Sequence, residues 1–330
     1  MADIQPKPAP SVAADAFAEA MRIFADHPGP EDVRRALDLL ERASSQGYAE
    51  ASAQLAVFHV MAANGPEGPR NWRQAFDALQ QAAEQGSEAA SKLLLLLADP
   101  SEDPISPAGI EPGFWRTARS RINLERLLDC PQRTTVRESP RIRLIEGFAS
   151  ASECRWVIEA SRADLARAKV FDHASGSMIK DPARNNSAVS LMFSQMDVVI
   201  EILRTRIASA TKVPVQVFEP AQILRYEVGQ EFVPHVDFLD PASPGYAEEL
   251  ARQGQRIATF LIYLNEGYEG GETAFPSIDL NVHGRTGDAL FWANLDPQHR
   301  PDPLTKHAGL PPTTGEKWVF SQWIRERPTA

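Results

Sequence analysis

Cysteine, long apolar runs and excess positive charge are all scarce in this chain. Its 330 residues include 2 cysteines, too few for the disulfide framework of a small secreted domain. No apolar run approaches the roughly 20 residues of a membrane-spanning helix, and Met1–Pro6 lacks the basic-then-apolar pattern of a secretory signal. A formal net charge of −10 disfavours general binding to nucleic acid or to an anionic membrane surface. We therefore expect a cytoplasmic protein with no nucleic-acid or membrane partner.

The amino-terminal third of the chain contains an internal repeat. The segment Ala36–Gly47 is matched 39 residues later by Ala75–Gly86, and the match continues into the next helix. A unit of helix, glycine-containing turn and helix at this period predicts an α-solenoid. Small alanines allow the paired helices to approach closely, and Gly47 and Gly86 stand where a helix end requires a positive φ.

The limits of this repeat region suggest how the chain is divided. Two units are fewer than the three that a stable array usually needs. We therefore expect either that Val12–Phe24 adds a capping helix or that the array is stabilised by packing against the rest of the chain. The Pro-rich stretch Asp99–Pro107 predicts a linker, and the amphipathic segment Arg116–Leu128 predicts a bridging helix. The expected domains are therefore 1–98, helical repeats; 99–136, linker and bridging helix; and 137–330, a second domain.

The carboxy-terminal part alternates short apolar strands with glycine-containing turns. Arg225–Asp237 predicts a strand, a turn and a second strand, and Ile257–Asn265 predicts a buried strand. Aromatic-rich strands follow the turns at Gly287 and Gly315. Regularly spaced short strands of this kind are typical of a β-barrel or sandwich.

Three residues of this part are suited to hold a metal ion. Residues i and i+2 of a strand point to the same side, so His235 and Asp237 can bind one ion from the second of the two predicted strands. A second imidazole from His307 would complete a 2-His-1-carboxylate set, which leaves open positions on a non-haem Fe(II). The tripeptide alone is a weak signal. The other histidines lack partners at such spacing and are expected to be structural or exposed: His173, His283 and His299.

Together these motifs resemble the prolyl 4-hydroxylase branch of the Fe(II)/2-oxoglutarate dioxygenases, from about Pro140 to about Arg327. The segment Arg141–Phe148 is similar to the strand that opens this family's catalytic domain. The resemblance implies a double-stranded β-helix, or jelly-roll, with flanking helices. The amino-terminal units resemble Sel-one-like repeats, relatives of the tetratricopeptide repeats. The expected fold is thus multidomain α and β, with an N-terminal α-solenoid and a C-terminal jelly-roll.

The resemblance also implies roles for the site residues. The two histidines and the aspartate would bind Fe(2+), and the further cosubstrates would be 2-oxoglutarate and O2, with ascorbate as an additional cofactor. Lys317 follows the last histidine at the family's interval and would pair with the distal carboxylate of 2-oxoglutarate. Tyr226 and Thr273 match further positions that contact this cosubstrate.

Each of these residues also has an ordinary interpretation. Tyr226 and Thr273 fit a strand and a turn without any ligand, and Lys317 fits a charge that protects an edge strand. Tryptophans of such strands more often belong to a core than to a cofactor wall. Alternation places Lys317 and Trp323 on one face of their strand, so both are expected to line the barrel interior.

Substrate-facing positions are the least specific part of the resemblance. They correspond to Arg256, Trp323 and Phe232, and the loop Asp181–Ser187, which contains Arg184, is similar to the segment that folds over substrate.

Two positions depart from the best-known peptide hydroxylases of this family. Those enzymes carry tyrosine at the Phe232 position and histidine where this chain has Arg325. Strict alternation also places Phe232 on the opposite face from His235, so its role requires a bulge near Pro234.

The activity implied by the resemblance is Fe(II)- and 2-oxoglutarate-dependent hydroxylation with release of succinate and CO2. A prolyl residue of a peptide or protein is the leading substrate, and the helical repeats would either dock it or brace the enzyme. Two alternatives stay open. One is hydroxylation of a free amino acid or another small molecule, and the other is an inactive interaction scaffold, against which the intact ligand set argues. The sequence leaves the hydroxylated carbon and the oligomeric state open.

Overall fold

The computed structural model describes residues 12–26, 29–61, 70–99, 112–168, 170–172, 177–179 and 183–328. His173, the linker from 100 to 107 and the start of the 181–187 loop lie outside these ranges. Two compact units are formed, one by residues 1–127 with 192–201 and the other by 128–191 with 202–330. Within the described ranges, every helix is too short or too polar to cross a membrane.

Among the described residues, the helical unit contains five longer helices and a pair of short ones. Their bounds are α1 Val12–Ala25, α2 Pro30–Ser45, α3 Ala49–Val60, α4 Trp72–Glu84, α5 Glu88–Ala98, α6 Phe114–Ser120 and α7 Leu124–Leu128. The expectation of one bridging helix over 116–128 was wrong. The chain leaves the helix after Arg121, and the side chain of Asn123 accepts a hydrogen bond from the Arg126 amide at 3.0 Å, which begins a new helix.

The two repeat units have the same pattern of buried positions and the same turn geometry. Gly47 and Gly86 have φ of 85° and 94°, and each amide donates to a carbonyl three residues earlier, at 3.0 and 3.1 Å. These glycines end α2 and α4, as the repeat predicts. The positions that match between the units are buried in both: Leu40 and Leu79, Ala43 and Ala82, Ala51 and Ala90, Leu55 and Leu94. The helix expected before the first unit is present as α1.

In its described part, the sheet unit contains antiparallel strands, the helices α8 Ala151–Ser161 and α10 Ala247–Gln253, and most of α9 Val198–Thr211, whose first residues are grouped with the helical unit. Its strands are β1 Thr134–Arg137, β2 Ile142–Ile145, β3 Ala166–Arg167, β4 Val170–Asp172, β5 Ser177–Ile179, β6 Ser187–Ser190, β7 Gln222–Tyr226, β8 Phe232–His235, β9 Arg256–Tyr263, β10 Glu269–Gly270, β11 Thr273–Phe275, β12 Leu280–Val282, β13 Ala289–Ala293, β14 His307–Gly309, β15 Pro312–Thr314 and β16 Lys317–Arg325.

Two sheets of this unit enclose one hydrophobic core. The larger sheet has eight strands in the order β1-β2-β13-β9-β16-β7-β6-β3, and the smaller has four in the order β12-β11-β14-β8. Tyr263 and Trp292 of the large sheet and Phe275 of the small sheet belong to the same buried cluster, and the Phe275 and Trp292 rings meet edge to face at 5.2 Å. The coarse prediction of amino-terminal helices and a carboxy-terminal antiparallel β structure is confirmed.

Candidate metal centre and cavity

Three side chains with metal-binding atoms meet in the sheet unit. One ligand atom from each of His235, Asp237 and His307 lies within 4.8 Å of the others. Nε2 of His235 is 3.7 Å from Oδ1 of Asp237, and Nε2 of His307 is 3.4 Å from Oδ2. Among the described residues, no other group of three or more histidine, cysteine, aspartate or glutamate side chains has this spacing.

Strand pairing brings these residues together from distant parts of the sequence. His307 begins β14 and lies directly opposite His235, the last residue of β8. Asp237 lies in a bend just beyond β8. The expectation that it shares the strand with His235 was wrong, because β14 begins at His307 and offers no partner to residues after His235.

Backbone carbonyl groups hold both imidazole rings. Nδ1 of His235 lies 2.9 Å from the carbonyl oxygen of Val233, and Nδ1 of His307 lies 3.0 Å from that of Thr305. A proton on each Nδ1 donates to these oxygens, so each Nε2 presents its lone pair beside the carboxylate of Asp237. Two neutral imidazole nitrogens and one carboxylate suit a non-haem Fe(II).

The protonation states of these groups also suit a metal. Burial alone would raise the pKa of Asp237, but the two histidines and a 2.6 Å hydrogen bond from the Thr259 hydroxyl lower it on balance. Asn294 in turn donates to the Thr259 hydroxyl at 3.0 Å. Burial and the neighbouring His307 lower the pKa of His235 to about 3. An ionised carboxylate and a neutral imidazole are the forms that bind a metal ion.

The three side chains open into a partly enclosed cavity. Alternate residues of β16 form one wall, as the period of two in a strand predicts. They are Lys317, Val319, Ser321 and Trp323. Strands β7 and β9 contribute alternate residues in the same way: Gln222, Leu224, Tyr226, Thr259 and Leu261.

Lys317 is a buried cation of this cavity. Its side chain is 2% exposed, and its Nζ donates to the carbonyl oxygen of Gly271 at 2.6 Å. Burial lowers the pKa of Lys317 to about 7, against the opposing effect of Glu272. In the ranges that the structure covers, no acidic side chain forms an ion pair with it. An incoming carboxylate would supply the missing counter-charge.

Two hydroxyl groups lie near this lysine. Tyr226 is directly opposite Lys317 in the β7–β16 pair, with Nζ 5.4 Å from its ring centroid. Burial raises the pKa of Tyr226 to about 12, so its hydroxyl stays protonated. Thr273 is buried at the start of β11, not in a turn as expected, because β11 pairs with both β12 and β14 there. The hydroxyl of Thr273 accepts a hydrogen bond from the Tyr263 hydroxyl at 2.9 Å, so its own O–H can donate to a ligand.

A bulge in β8 places Phe232 beside the metal centre. From Phe232 to His235 the strand takes one more step than β14 takes from Gly309 to His307. This is the irregularity near Pro234 on which the role of Phe232 depended. The Phe232 and His235 rings stack with centroids 3.5 Å apart and planes 14° apart.

Arg184 is the second buried cation of the cavity. It is 6% exposed, and its guanidinium carbon lies 4.9 Å from the Phe232 ring centroid. Its Nε donates to the Asn186 side chain at 3.2 Å, and one terminal nitrogen donates to Gln222 at 3.0 Å. Both acceptors are neutral amides.

Of the residues predicted to face substrate, Arg256 is the one that does not line the cavity. Its guanidinium carbon lies 3.8 Å from the ring centroid of Trp323, which does line it, and its Nε donates to Glu219 at 2.7 Å. Glu219 also pairs with Arg325, which binds Glu249 of α10. These four charged residues form what we term the arginine–glutamate cluster: Glu219, Glu249, Arg256 and Arg325.

Several residues that support the site were not predicted from the sequence. Thr259 orients Asp237, and Gln222 holds Arg184. Alternation along the predicted strand at 257–265 would have identified Thr259, since it shares a face with Leu261. Asn294 and Glu219 lie in loops, and no local sequence pattern identifies them as residues that support the site.

Comparisons with known proteins agree with this geometry. Residues 221–325 match the family model described as the 2OG-Fe(II) oxygenase superfamily. A probable prolyl 4-hydroxylase 4 of Arabidopsis thaliana is 32% identical over 210 residues, which cover 57% of this chain and 68% of the relative. The prolyl 4-hydroxylase subunit alpha-1 of Gallus gallus is 35% identical over 190 residues, covering 58% of this chain. The matched region spans 36% of that subunit's length.

A solved structure was also matched. It is a 2OG complex of a viral collagen prolyl hydroxylase from Paramecium Bursaria Chlorella virus-1, with 28% sequence identity and a TM-score of 0.42. The match covers 56% of this chain and 94% of the viral one.

Proposed function

The chain belongs to the prolyl 4-hydroxylases of the 2OG-Fe(II) oxygenase superfamily, and from that premise we propose that it hydroxylates a prolyl residue in a peptide or protein. The reaction uses Fe(II), 2-oxoglutarate and O2 and releases succinate and CO2. The observation that carries this proposal is a single cavity in which the cluster of His235, Asp237 and His307 lies with a buried lysine that forms no ion pair with any described acidic residue.

In this proposal the metal-binding residues, Thr259 and Lys317 have defined tasks. His235, Asp237 and His307 hold the iron, and Thr259 fixes the orientation of the carboxylate. When bound, Fe(II) would supply a centre for activating O2, which is the oxidant, and 2-oxoglutarate would supply two electrons as it is decarboxylated to succinate. Lys317 binds the distal carboxylate of the cosubstrate by a charge-assisted hydrogen bond.

Hydroxyl and apolar groups complete the cosubstrate site. The hydroxyls of Tyr226 and Thr273 donate further hydrogen bonds to the cosubstrate. Leu224, Leu261 and Val319 line the same cavity and keep water from the reacting centre.

The substrate would enter beside the aromatic residues. Phe232 and Trp323 line the cavity and offer flat apolar surfaces to a proline ring. Trp323 is held in place by Arg256, whose own charge is neutralised by Glu219. Hydroxylation of a free amino acid is the alternative, and it predicts that substrates with a peptide chain on both sides of the proline are excluded.

The test combines metal content with product analysis. Purified protein loaded anaerobically with Fe(II) should hold one iron per chain and convert 2-oxoglutarate to succinate, slowly without substrate and faster with proline-containing peptides. Mass spectrometry of the peptides should show a gain of one oxygen on proline. Oxygen gained only by free proline would favour hydroxylation of the free amino acid. If the purified protein formed no succinate at all, the proposed dioxygenase activity would be refuted.

The jelly-roll and the solenoid are part of the same proposal. Two facing antiparallel sheets with the site between β7, β8, β9, β14 and β16 support the first, and the matched burial and turns of the two units support the second. The remaining domain limits follow the predicted ones, with residues 1–98 as the repeat array, 99–136 as the connection and 137–330 as the catalytic domain.

A bracing role is the one we propose for the helical repeats. Phe193 belongs to the helical unit, where its ring stacks on Phe24 at 4.0 Å and its carbonyl accepts from Gln54 at 3.0 Å. A chain starting at Pro112 would lose these contacts and should become poorly soluble or inactive even in substrate-free 2-oxoglutarate turnover. Full turnover with weaker binding of a protein substrate would instead indicate docking by the repeats.

We also propose a cytoplasmic location. Cys130 and Cys154 are both free, and Cys154 is buried, with burial raising the pKa of its thiol to about 12. Unpaired cysteines are the rule in reducing compartments, which also keep iron in the ferrous state. Fractionation of cells that express the tagged protein tests this assignment.

A further inference from the structure

The charges around the cavity do not balance. Three of its lining residues carry a formal charge when the histidines are neutral: Arg184, Lys317 and Asp237. Two cations and one anion leave one positive charge. Fe(II) adds two positive charges and the 2-oxoglutarate dianion adds two negative ones, so the loaded site keeps the same excess. An excess charge in a poorly solvated space is unfavourable unless a counter-charge arrives.

The excess positive charge of the cavity is assigned to Arg184. Under the proposed function, Lys317 and Asp237 are matched by the cosubstrate and the metal. Arg184 is 6% exposed, and its hydrogen bonds in the structure go to the amide oxygens of Asn186 and Gln222. A guanidinium group has five N–H donors, so donors remain for a ligand. Among the described residues no carboxylate forms an ion pair with it, whereas the neighbouring Arg256 is paired with Glu219.

The position of Arg184 points to the substrate. It packs on Phe232, and Phe232 stacks on the proposed iron ligand His235. A group bound by Arg184 therefore lies close to the carbon that is hydroxylated. Burial lowers the pKa of Arg184, and the opposing effects of Tyr226 and Asp237 do not offset it.

We propose that Arg184 binds a carboxylate of the substrate, so that this protein selects prolyl substrates with a negative charge next to the proline. This inference rests on the proposed prolyl hydroxylase function and specifies its substrate class. Two sources can supply the charge: an acidic side chain that flanks the proline, or the terminal carboxylate of a peptide that ends in proline. A guanidinium group binds either one in the same bidentate geometry.

Four peptides distinguish these cases. The first is acetyl-Gly-Ala-Pro-Ala-Gly-amide, which is neutral. The second has glutamate after the proline, the third is acetyl-Gly-Ala-Pro with a free carboxylate, and the fourth is the second with alanine in place of proline. Dissociation constants are measured with Zn(II) in place of iron and saturating 2-oxoglutarate, and oxygen gain is measured separately with Fe(II).

The wild-type protein should bind the second or third peptide about ten- to a hundredfold more tightly than the first, the range for a hydrogen-bonded charge pair. Arg184→Gln should remove most of this preference, and Arg184→Lys should keep part of it. Arg225→Gln is the matched control, because Arg225 also lies on the sheet but pairs with Glu316 and does not line the cavity. It should leave the preference unchanged. The affinity for 2-oxoglutarate should be unchanged in all three variants, which also shows that they are folded.

Several results would overturn the proposal. They are equal binding of the first three peptides by the wild-type protein, an undiminished preference in Arg184→Gln, and a loss of 2-oxoglutarate affinity in that variant, which would assign Arg184 to the cosubstrate. Asp181 lies outside the described ranges, so Asp181→Asn is included. A carboxylate preference found only in that variant would assign Arg184 to the chain's own aspartate and overturn the proposal.

The outcome also separates this inference from the proposed function. If the second and fourth peptides bind equally well and none gains oxygen, Arg184 recognises carboxylates and the prolyl activity is wrong. If the first three gain oxygen at equal rates, the prolyl activity stands and the role of Arg184 is wrong.

Discussion

Two sets of charged residues in the sheet unit, each with a buried cation, are arranged in opposite ways. In the arginine–glutamate cluster, each arginine meets glutamate: Arg256 and Arg325 share Glu219, and Arg325 also binds Glu249. In the cavity, Lys317 donates to a backbone carbonyl and Arg184 to two side-chain amides. Arg325 and Lys317 are equally inaccessible, at 1% and 2% exposure.

The difference separates structural charges from functional ones. An unpaired buried charge costs several kcal/mol, whereas a paired and hydrogen-bonded one costs much less. The cluster is neutral and complete, so it stabilises the fold around Trp323. The cavity cations form no ion pair with a described residue, so a bound anion would relieve their unfavourable burial. Burial therefore does not distinguish Arg325 from Lys317, but ion pairing within the described part of the chain does.

The largest expected effect comes from removing the carboxylate of Asp237 from the cavity. Asp237→Ala should abolish iron binding and 2-oxoglutarate turnover, because two imidazoles alone hold Fe(II) weakly and the nearby cations repel it. Elemental analysis of iron per chain and succinate formation measure this. Glu249→Ala is the control, since it removes a carboxylate from the cluster; it should retain iron. Full turnover by Asp237→Ala would show that the ligand assignment is wrong.

Lys317 should follow in size of effect. Breaking a buried charge pair typically costs about 3–5 kcal/mol, which corresponds to a loss of 2-oxoglutarate affinity of roughly a hundredfold to a few thousandfold in Lys317→Ala. Iron binding should survive. Lys317→Arg keeps the charge but has a longer, planar head group, so partial recovery is expected. Anaerobic titration of the Fe(II) protein with 2-oxoglutarate, followed by the metal-to-ligand absorption band, gives the dissociation constants. An unchanged constant in Lys317→Ala would exclude this lysine as the anchor.

The cluster should respond in stability, not in cosubstrate affinity. Arg325→Met should lower the free energy of unfolding by about 3 kcal/mol. This is the lower end of the range for a broken buried ion pair, because Glu219 still forms its ion pair with Arg256 in the variant. Urea unfolding of the metal-free protein measures this. The 2-oxoglutarate dissociation constant should stay the same as in the wild type. A variant with normal stability and weakened 2-oxoglutarate binding would reverse the assignment of the two sets.

The smallest expected effect is a pH dependence. The pKa of Lys317 is lowered to about 7 by burial, and the 2-oxoglutarate dianion binds the protonated form. As pH rises through 7 the free site loses this proton, so affinity should fall by about five- to tenfold between pH 7 and pH 8. Below pH 7 the lysine is already protonated, and affinity should level off. In Lys317→Arg the dependence should disappear, since arginine stays charged. A flat profile in the wild type would mean that the lysine is protonated throughout this range.

The sequence predicted the site better than its surroundings, for a physical reason. His235, Asp237 and Lys317 lie on or beside strands where a period of two determines which side chains face inward. Phe232 required knowledge of the bulge, and the strand pattern alone places it on the wrong face. Its position follows from pairing with β14, a segment about seventy residues away in sequence.

Charge pairing between distant loops could not be predicted. Glu219 precedes β7 and Glu249 lies on α10, yet both meet Arg325 at the end of β16. No local pattern in the sequence specifies such contacts, since they depend on the closure of the whole sheet. The helix break near Asn123 is different in kind. Asparagine at a helix start is a known preference, but amphipathic residues on both sides concealed it.

The direct pairing of His235 with His307 links the metal to the durability of the protein. Strand β8 is an outer strand of the small sheet and contains Pro234, which has no amide to donate. On the side away from β14 it is bonded only to a short segment, where the Val233 amide donates to the Ala183 carbonyl and Phe232 bridges Arg184. A metal ion bound by both histidines would cross-link β8 to β14. Without it, the end of β8 can fray and become accessible to proteases. In a cell that is short of iron, we expect copies of this protein to be degraded as well as inactive, so that iron supply sets their lifetime.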